Sequence, residues 1–153
     1  MSVEARLEAK GLFLPKPAAP AANYVPFTLV RDMVFVSGQL PVGPGGLAYE
    51  GKVGQEVSLD QAVAAARLCA LNIIAQLKVA CEGDLERVRR IVRLGGFVNC
   101  ADAFEQQPVV INGASDLMVV AFGEAGRHAR AAVGSNALPF NAPVEIDAIA
   151  LIG

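Results

Sequence analysis

From Ser58 to Gly83 the chain reads SLDQAVAAARLCALNIIAQLKVACEG, and this stretch restricts the fold more than any other. Ser58 with Gln61 three positions on is a capping box, in which each side chain satisfies the other residue's backbone N–H at a helix start. Val63, Ala66, Ala70, Ile73, Ile74, Leu77 and Ala80 then recur at helical spacing and form one apolar stripe. Gly83 ends the helix, and Asp84 is placed to cap a short turn through Leu85 and Val88. A long helix with one apolar face needs a second layer to lie on.

The segments around it read as that layer. VPFTLVRD and MVFVSGQLPV are two strands with Arg31-Asp32 near the turn, and GPGGLAYEGKVG is a glycine-rich loop. IVRLGGFVN reads as a strand in which Gly95-Gly96 marks a bulge or a close backbone approach. VVINGASDLMVVAFGEAG, after Pro108, suits a second helix stopping at Gly126. HARAAVG and PVEIDAIALI are the last strands, separated by the turn-rich SNALPFNA. Residues 2 to 10 suit a short amphipathic helix, and LPKPAAPAAN is an arm or linker. The order β-β-α-β-α-β-β describes a single α+β domain over residues 23–153, preceded by an N-terminal extension and Pro/Ala-rich arm over residues 1–22. Its mixed sheet carries two helices on one face, and the bare face calls for a partner.

Composition narrows the function. The 153 residues are the size of one domain. Hydrophobic residues make up 54% and charged residues 18%. No apolar run approaches the ~20 residues of a membrane span, so the excess apolar surface fits an oligomer interface instead. The charged N-terminus has no apolar signal region. Cys69, Cys81 and Cys100 are odd in number and lack a C-x-x-C pair, which fits a reducing cytoplasm. A net charge of −2, with basic residues spread thinly, argues against nucleic acid as the main partner. His128 is the only histidine and the cysteines lack ligand spacing, so no metal site is expected. There is no G-x-S-x-G elbow, GPGG opens no helix, and no serine can be paired with a histidine base from sequence alone.

Arg130 and Glu145 stand out among the remaining groups. Alternation along HARAAVG puts His128, Arg130 and Ala132 on one face of a strand. The planar fork of an arginine among alanines suits a carboxylate. The same residue also suits an edge-strand arginine that is exposed to solvent or paired with an acid of the chain. Glu145 and Asp147 share one face of the last strand, either to hold a water and accept a proton or to bridge to an arginine. These residue types leave both choices open.

VSGQLP at 36–41, HARAAVG at 128–134 and LPFNAPVEIDAIA at 138–150 resemble the signature segments of the RidA (YjgF/YER057c/UK114) family. FVNCADAF, the following helix with Asn112, and the glycine-ended turn after the long helix are similar as well. The resemblance covers roughly residues 23–152 and looks closest to a longer branch with an N-terminal extension. It implies a chorismate-mutase-like α+β fold assembled as a homotrimer, with ligand pockets between subunits. It also implies a 2-iminobutanoate/2-iminopropanoate deaminase that hydrolyses reactive 2-imino acids to 2-keto acids and ammonia without metal or organic cofactor.

On that resemblance Arg130 is the carboxylate clamp and Glu145 positions the attacking water. Tyr24, Ser37, Gly38 and Asn112 line the cleft. The chain departs from the family pattern after the arginine, with Ala131 and Ala132 where serine and often cysteine are common, and before it, with His128 where proline is common. His128 either adds to the polar pocket or packs at the subunit interface. Two other function classes stand beside the deaminase. One is a non-catalytic carboxylate-binding or regulatory trimer. The other is the endoribonuclease or translation-inhibitor activity with which parts of the family are labelled.

Overall fold

The computed structural model describes residues 1–20 and 22–153. A five-stranded sheet in the order β1-β2-β7-β5-β6 is built from β1 (Phe27–Val30), β2 (Met33–Gln39), β5 (Val88–Asn99), β6 (Ala129–Ser135) and β7 (Val144–Ile152). Only β5 and β6 run parallel. Parallel neighbours need a long crossover, which α3 (Gln107–Phe122) supplies. The glycine-rich loop contains a two-residue-per-strand hairpin, β3 (Val42–Gly43) and β4 (Gly46–Leu47), which the sequence reading leaves as loop.

The helix α2 (Leu59–Ala80) starts at the Ser58 capping box with both reciprocal hydrogen bonds present. Its burial is wider than one stripe. The side chains of Asn72 and Gln76 are buried as well. Asn72 Nδ2 donates to the carbonyls of Leu40 (3.3 Å) and Val42 (2.9 Å), and Gln76 Nε2 donates to that of Ala18 (2.9 Å). Those amides tie the β2–β3 connection and the Pro/Ala-rich arm onto the outer side of the helix. Ala21 of that arm lies outside the described residues.

Helix α3 crosses close to α2. A Cβ on Gly113 would lie 2.3 Å from the Val63 carbonyl oxygen, so only glycine allows this approach. The helix stops at Phe122, and Gly123–Gly126 form a 3₁₀ turn before β6, a tighter ending than one helix running to Gly126. The helix α2 and the segment Gln107–Gly126, which joins α3 to its 3₁₀ turn, have the length and mean hydropathy (1.5 and 1.3) of a membrane span, although neither is an unbroken apolar run. They are core helices nonetheless: 67% and 50% of their apolar windows are buried within this chain.

At the N-terminus, α1 (Val3–Glu8) packs on α3 with Val3 and Leu7 buried in the same core as the sheet and long helices. Arg6 Nε donates to the Ala121 carbonyl (2.8 Å), and Lys78 pairs with Glu4 (2.9 Å).

Alternation along β7 is strict. Val144, Ile146, Ala148, Ala150 and Ile152 are buried under the helices, while Glu145, Asp147, Ile149 and Leu151 face the other way. The helix-free face also carries Phe35 (42% exposed), Phe97 (37%) and Val133 (45%). Gly95 and Gly96 mark close approaches, since the bulges of β5 fall before Leu94. Asp147 lies over Gly95 on the bare face, and Ile111 of α3 lies over Gly96 on the covered one.

Candidate functional site

Arg130 sits on β6 at the edge of the sheet, level with Leu94 of β5, and its side chain turns toward α3. There the guanidinium meets only neutral acceptors. Nη1 donates to Asn112 Oδ1 (2.9 Å) and Ser115 Oγ (3.0 Å), and Nη2 donates to the Pro108 carbonyl (3.1 Å). No acid of the described residues forms an ion pair with it. Its fork is held in place while its charge stays uncompensated, the condition for capturing an external anion.

His128 shares this face with Arg130, as alternation predicts. Its Nδ1 lies 2.6 Å from the Gly126 carbonyl and its Nε2 2.8 Å from Ser115 Oγ. A carbonyl only accepts, so Nδ1 carries the hydrogen and, in the neutral ring, Nε2 accepts from the Ser115 hydroxyl. Burial pushes the His128 pKa down and the Arg130 charge pushes it further, against the Gly126 hydrogen bond, which raises it. Asn112, Ser115, Asp116, Val119, Arg127, His128 and Arg130 line an open depression of ≈ 290 Å³.

A second cluster lies on the β2 side. Ser37 and Gly38 form a bulge between the paired residues Val36 and Gln39. Ser37 Oγ donates to the Val25 carbonyl (2.7 Å), so this hydroxyl anchors the chain entering β1. The Glu145 carboxylate rests over Gly38, where a Cβ would lie 2.2 Å from Oε2. Burial raises the Glu145 pKa first, and neighbouring Asp147 raises it again. Asp147 is raised by burial and partly relieved by Arg93, with which it pairs at 3.8 Å, and by the Gly95 backbone. Glu145 forms no ion pair among the described residues.

Tyr24 is about half exposed and joins Pro20, Pro26, Gly38, Leu47 and Phe140 in lining a cleft of ≈ 390 Å³. Phe140 and Asn141 both adopt the left-handed region at φ 57°. That conformation suits asparagine and is costly for phenylalanine. It is held by hydrogen bonds from the Gly51 N–H to the Asn141 carbonyl (2.8 Å) and from buried Asn99 to Asn141 Oδ1 (3.3 Å) and the Ala142 carbonyl (3.2 Å).

One chain therefore presents two separate constellations. Arg130, Asn112 and His128 meet on the helix-covered side. Tyr24, Gly38 and Glu145 gather on the β2 side. The intervening strand shows why: Arg130 is level with buried Leu94 and Glu145 with Phe97, three residues on, which places them on opposite faces of the sheet. Ser115 and Phe140 were not singled out by the sequence reading. Ser115 had a usable signal, since it follows Asn112 by three helical positions and so shares its face. Phe140 had none, because its exposure in the cleft depends on distant Asn99.

A model of the YjgF/chorismate mutase-like, putative endoribonuclease family matches residues 4–150. The chain belongs to the YjgF family. This YjgF-family chain is 47% identical over 148 residues to Protein TCP17 of Trypanosoma cruzi, covering 96% of this chain and 92% of that protein. It is similar to the crystal structure of a protein of unknown function from Agrobacterium tumefaciens, at 52% identity and TM-score 0.94 over 99% of this chain and 92% of the other. A putative endoribonuclease from Shewanella oneidensis is similar at 40% identity and TM-score 0.95, over 99% of this chain and 100% of that one. The resemblance carried by VSGQLP, HARAAVG and VEIDAIA is thus borne out, together with its α+β fold. The family match reaches back to residue 4 and so takes in all of α1 but Val3.

Proposed function

We propose that this YjgF-family chain is an enamine/imine deaminase that hydrolyses small 2-imino acids to 2-keto acids and ammonia, acting as a homotrimer. The observation that carries the reading is Arg130, a guanidinium fixed by three neutral acceptors in an open depression and forming no ion pair among the described residues. Such a group binds a carboxylate in a defined orientation. An imine is already an activated electrophile, so orienting its C=N carbon toward a water supplies much of the acceleration required. Glu145, with a raised pKa, is the stronger base for that water.

Arg130 and Glu145 face opposite sides of one sheet, so the working site draws Arg130 from one subunit and Glu145, Gly38 and Tyr24 from its neighbour. The exposed Phe35, Phe97 and Val133 on the bare sheet face support such an assembly. Three buried free thiols fit a reducing cytoplasm.

The test generates 2-iminopropanoate in situ and follows its decay with wild-type protein and with Arg130→Ala. Wild type accelerates decay, and the variant loses about 10²-fold or more in kcat/KM. Unchanged decay with wild type sinks the deaminase reading. Pyruvate binding without turnover then favours a regulatory carboxylate-binding trimer, whereas RNA cleavage that survives Arg130→Ala favours the endoribonuclease.

A further inference from the structure

We propose that Ser115 and His128 form a proton-delivering pair for the Arg130 site, in which a ligand carboxylate draws a proton onto His128 and Ser115 passes it to the substrate nitrogen. The inference rests on the imine-hydrolysis reading and adds the acid to a site that otherwise has a clamp and a base.

The geometry is a continuous hydrogen-bonded chain. Gly126 O, His128 Nδ1–H, His128 Nε2, the Ser115 hydroxyl and Arg130 Nη1 follow one another at 2.6, 2.8 and 3.0 Å. A hydroxyl within reach of a base that is itself oriented by a third group is the arrangement that moves protons in many active sites. Ser115 comes from α3 and His128 from the lead-in to β6, and both border the depression that Arg130 occupies.

In the ligand-free chain burial disfavours an imidazolium at His128, the Gly126 hydrogen bond favours it and the Arg130 charge disfavours it, with the balance toward the neutral ring. The other charged groups nearby are Asp116 on α3, Arg127 beside His128, Glu124 of the 3₁₀ turn, which pairs with Arg127 (3.1 Å), and Arg90 of β5, which donates to the Arg127 carbonyl (3.0 Å). A carboxylate docked on Arg130 offsets the arginine's charge and so lifts the part of the depression that Arg130 imposes on His128. Binding therefore takes up a proton at His128. Nε2–H now donates to Ser115 Oγ, and the Ser115 O–H is free to point into the depression.

The proton then has a use. As water oxygen bonds to the imine carbon, the C=N π pair moves to nitrogen. Nitrogen takes the Ser115 proton, Ser115 takes that of His128, and the water proton goes to Glu145. In the second step the new hydroxyl's proton passes through Ser115 to nitrogen, and the C–N bond breaks with its pair on nitrogen. Ammonia and the keto acid leave. Glu145 then releases its proton to solvent and His128 regains one on the next binding event.

The experiment titrates pyruvate calorimetrically into wild-type protein at pH 7.5, in buffers of different ionisation heat. Proton uptake on binding is expected for wild type and is absent in His128→Gln. Wild type that binds pyruvate with no uptake overturns the pair. Kinetics with 2-iminopropanoate separate delivery from mere support of Arg130. Ser115→Ala and His128→Gln lower kcat by about 10²-fold with KM little changed, and Ser115→Thr restores most of the loss. Wild-type kcat declines as pH rises through the ligand-bound pKa of His128, and His128→Gln loses that limb. A raised KM at unchanged kcat makes Ser115 a prop for Arg130 and overturns the proposal alone. Wild type that leaves imine decay unchanged overturns the deaminase reading and this pair with it.

Discussion

Glu145 shows how burying a single carboxyl couples stability to pH. Burial and Asp147 favour its protonated form in the folded chain, so the folded state binds more protons than the unfolded one. Its contribution to stability is greatest below the unfolded carboxyl pKa and is lost as pH rises through the raised folded value. Replacing it by the uncharged isostere removes that loss. Glu145→Gln is therefore expected to raise Tm at pH 7.5 and to lower imine turnover, which thermal melts and kinetics on the same preparation will check. The acid limb of wild-type kcat/KM should lie above the usual carboxylate range. Alternation alone told that Glu145 and Asp147 share a face. Their pKa directions depended on what covers that face, which the local pattern does not contain.

At the scale of elements, the α2–α3 crossing controls how Asn112 and Ser115 are delivered to Arg130. Gly113 stands between those two residues and against the Val63 carbonyl. Gly113→Ala must push rigid backbone apart, at a cost of about 1–3 kcal/mol, which a urea titration will measure as a lowered midpoint at constant m-value. The same variant shifts the two Arg130 acceptors, so KM for the imine should rise. The helix start at Ser58 was legible because a capping box is a four-residue contact. Gly95-Gly96 was legible only as a choice between bulge and close approach. Ile111 above Gly96 and Asp147 above Gly95 decide for the close approach, and neither neighbour is near in sequence.

The N-terminus is built into the core of the whole molecule. Leu7 is fully buried between α1 and the core, so Leu7→Ala is expected to cost about 2–5 kcal/mol, read as a fall in the denaturation midpoint. The bare face of the sheet belongs to the same scale. Phe97→Glu places a charge beside Val133 and Glu145, and should reduce the solution mass of the proposed trimer to that of a monomer by light scattering, with loss of the proposed imine turnover. A wild-type monomer at micromolar concentration would count against a site shared between subunits.

Periods, caps and turn residues act over a few positions. They were enough to specify α2, the β1–β2 hairpin, the Arg130 strand and the alternation of β7, along with Arg130 and Glu145 as the residues worth following. The pairing of β5 with both β6 and β7 joins segments far apart in the chain, and its register sends Arg130 to the helices and Glu145 to the bare face. It also brings His128 to Ser115, a contact across thirteen residues that depends on how α3 packs and where the 3₁₀ turn ends it. Local patterns reveal which face a side chain takes within its own element. Which faces meet is settled by packing, where burial and hydrogen bonding are satisfied for the whole chain at once.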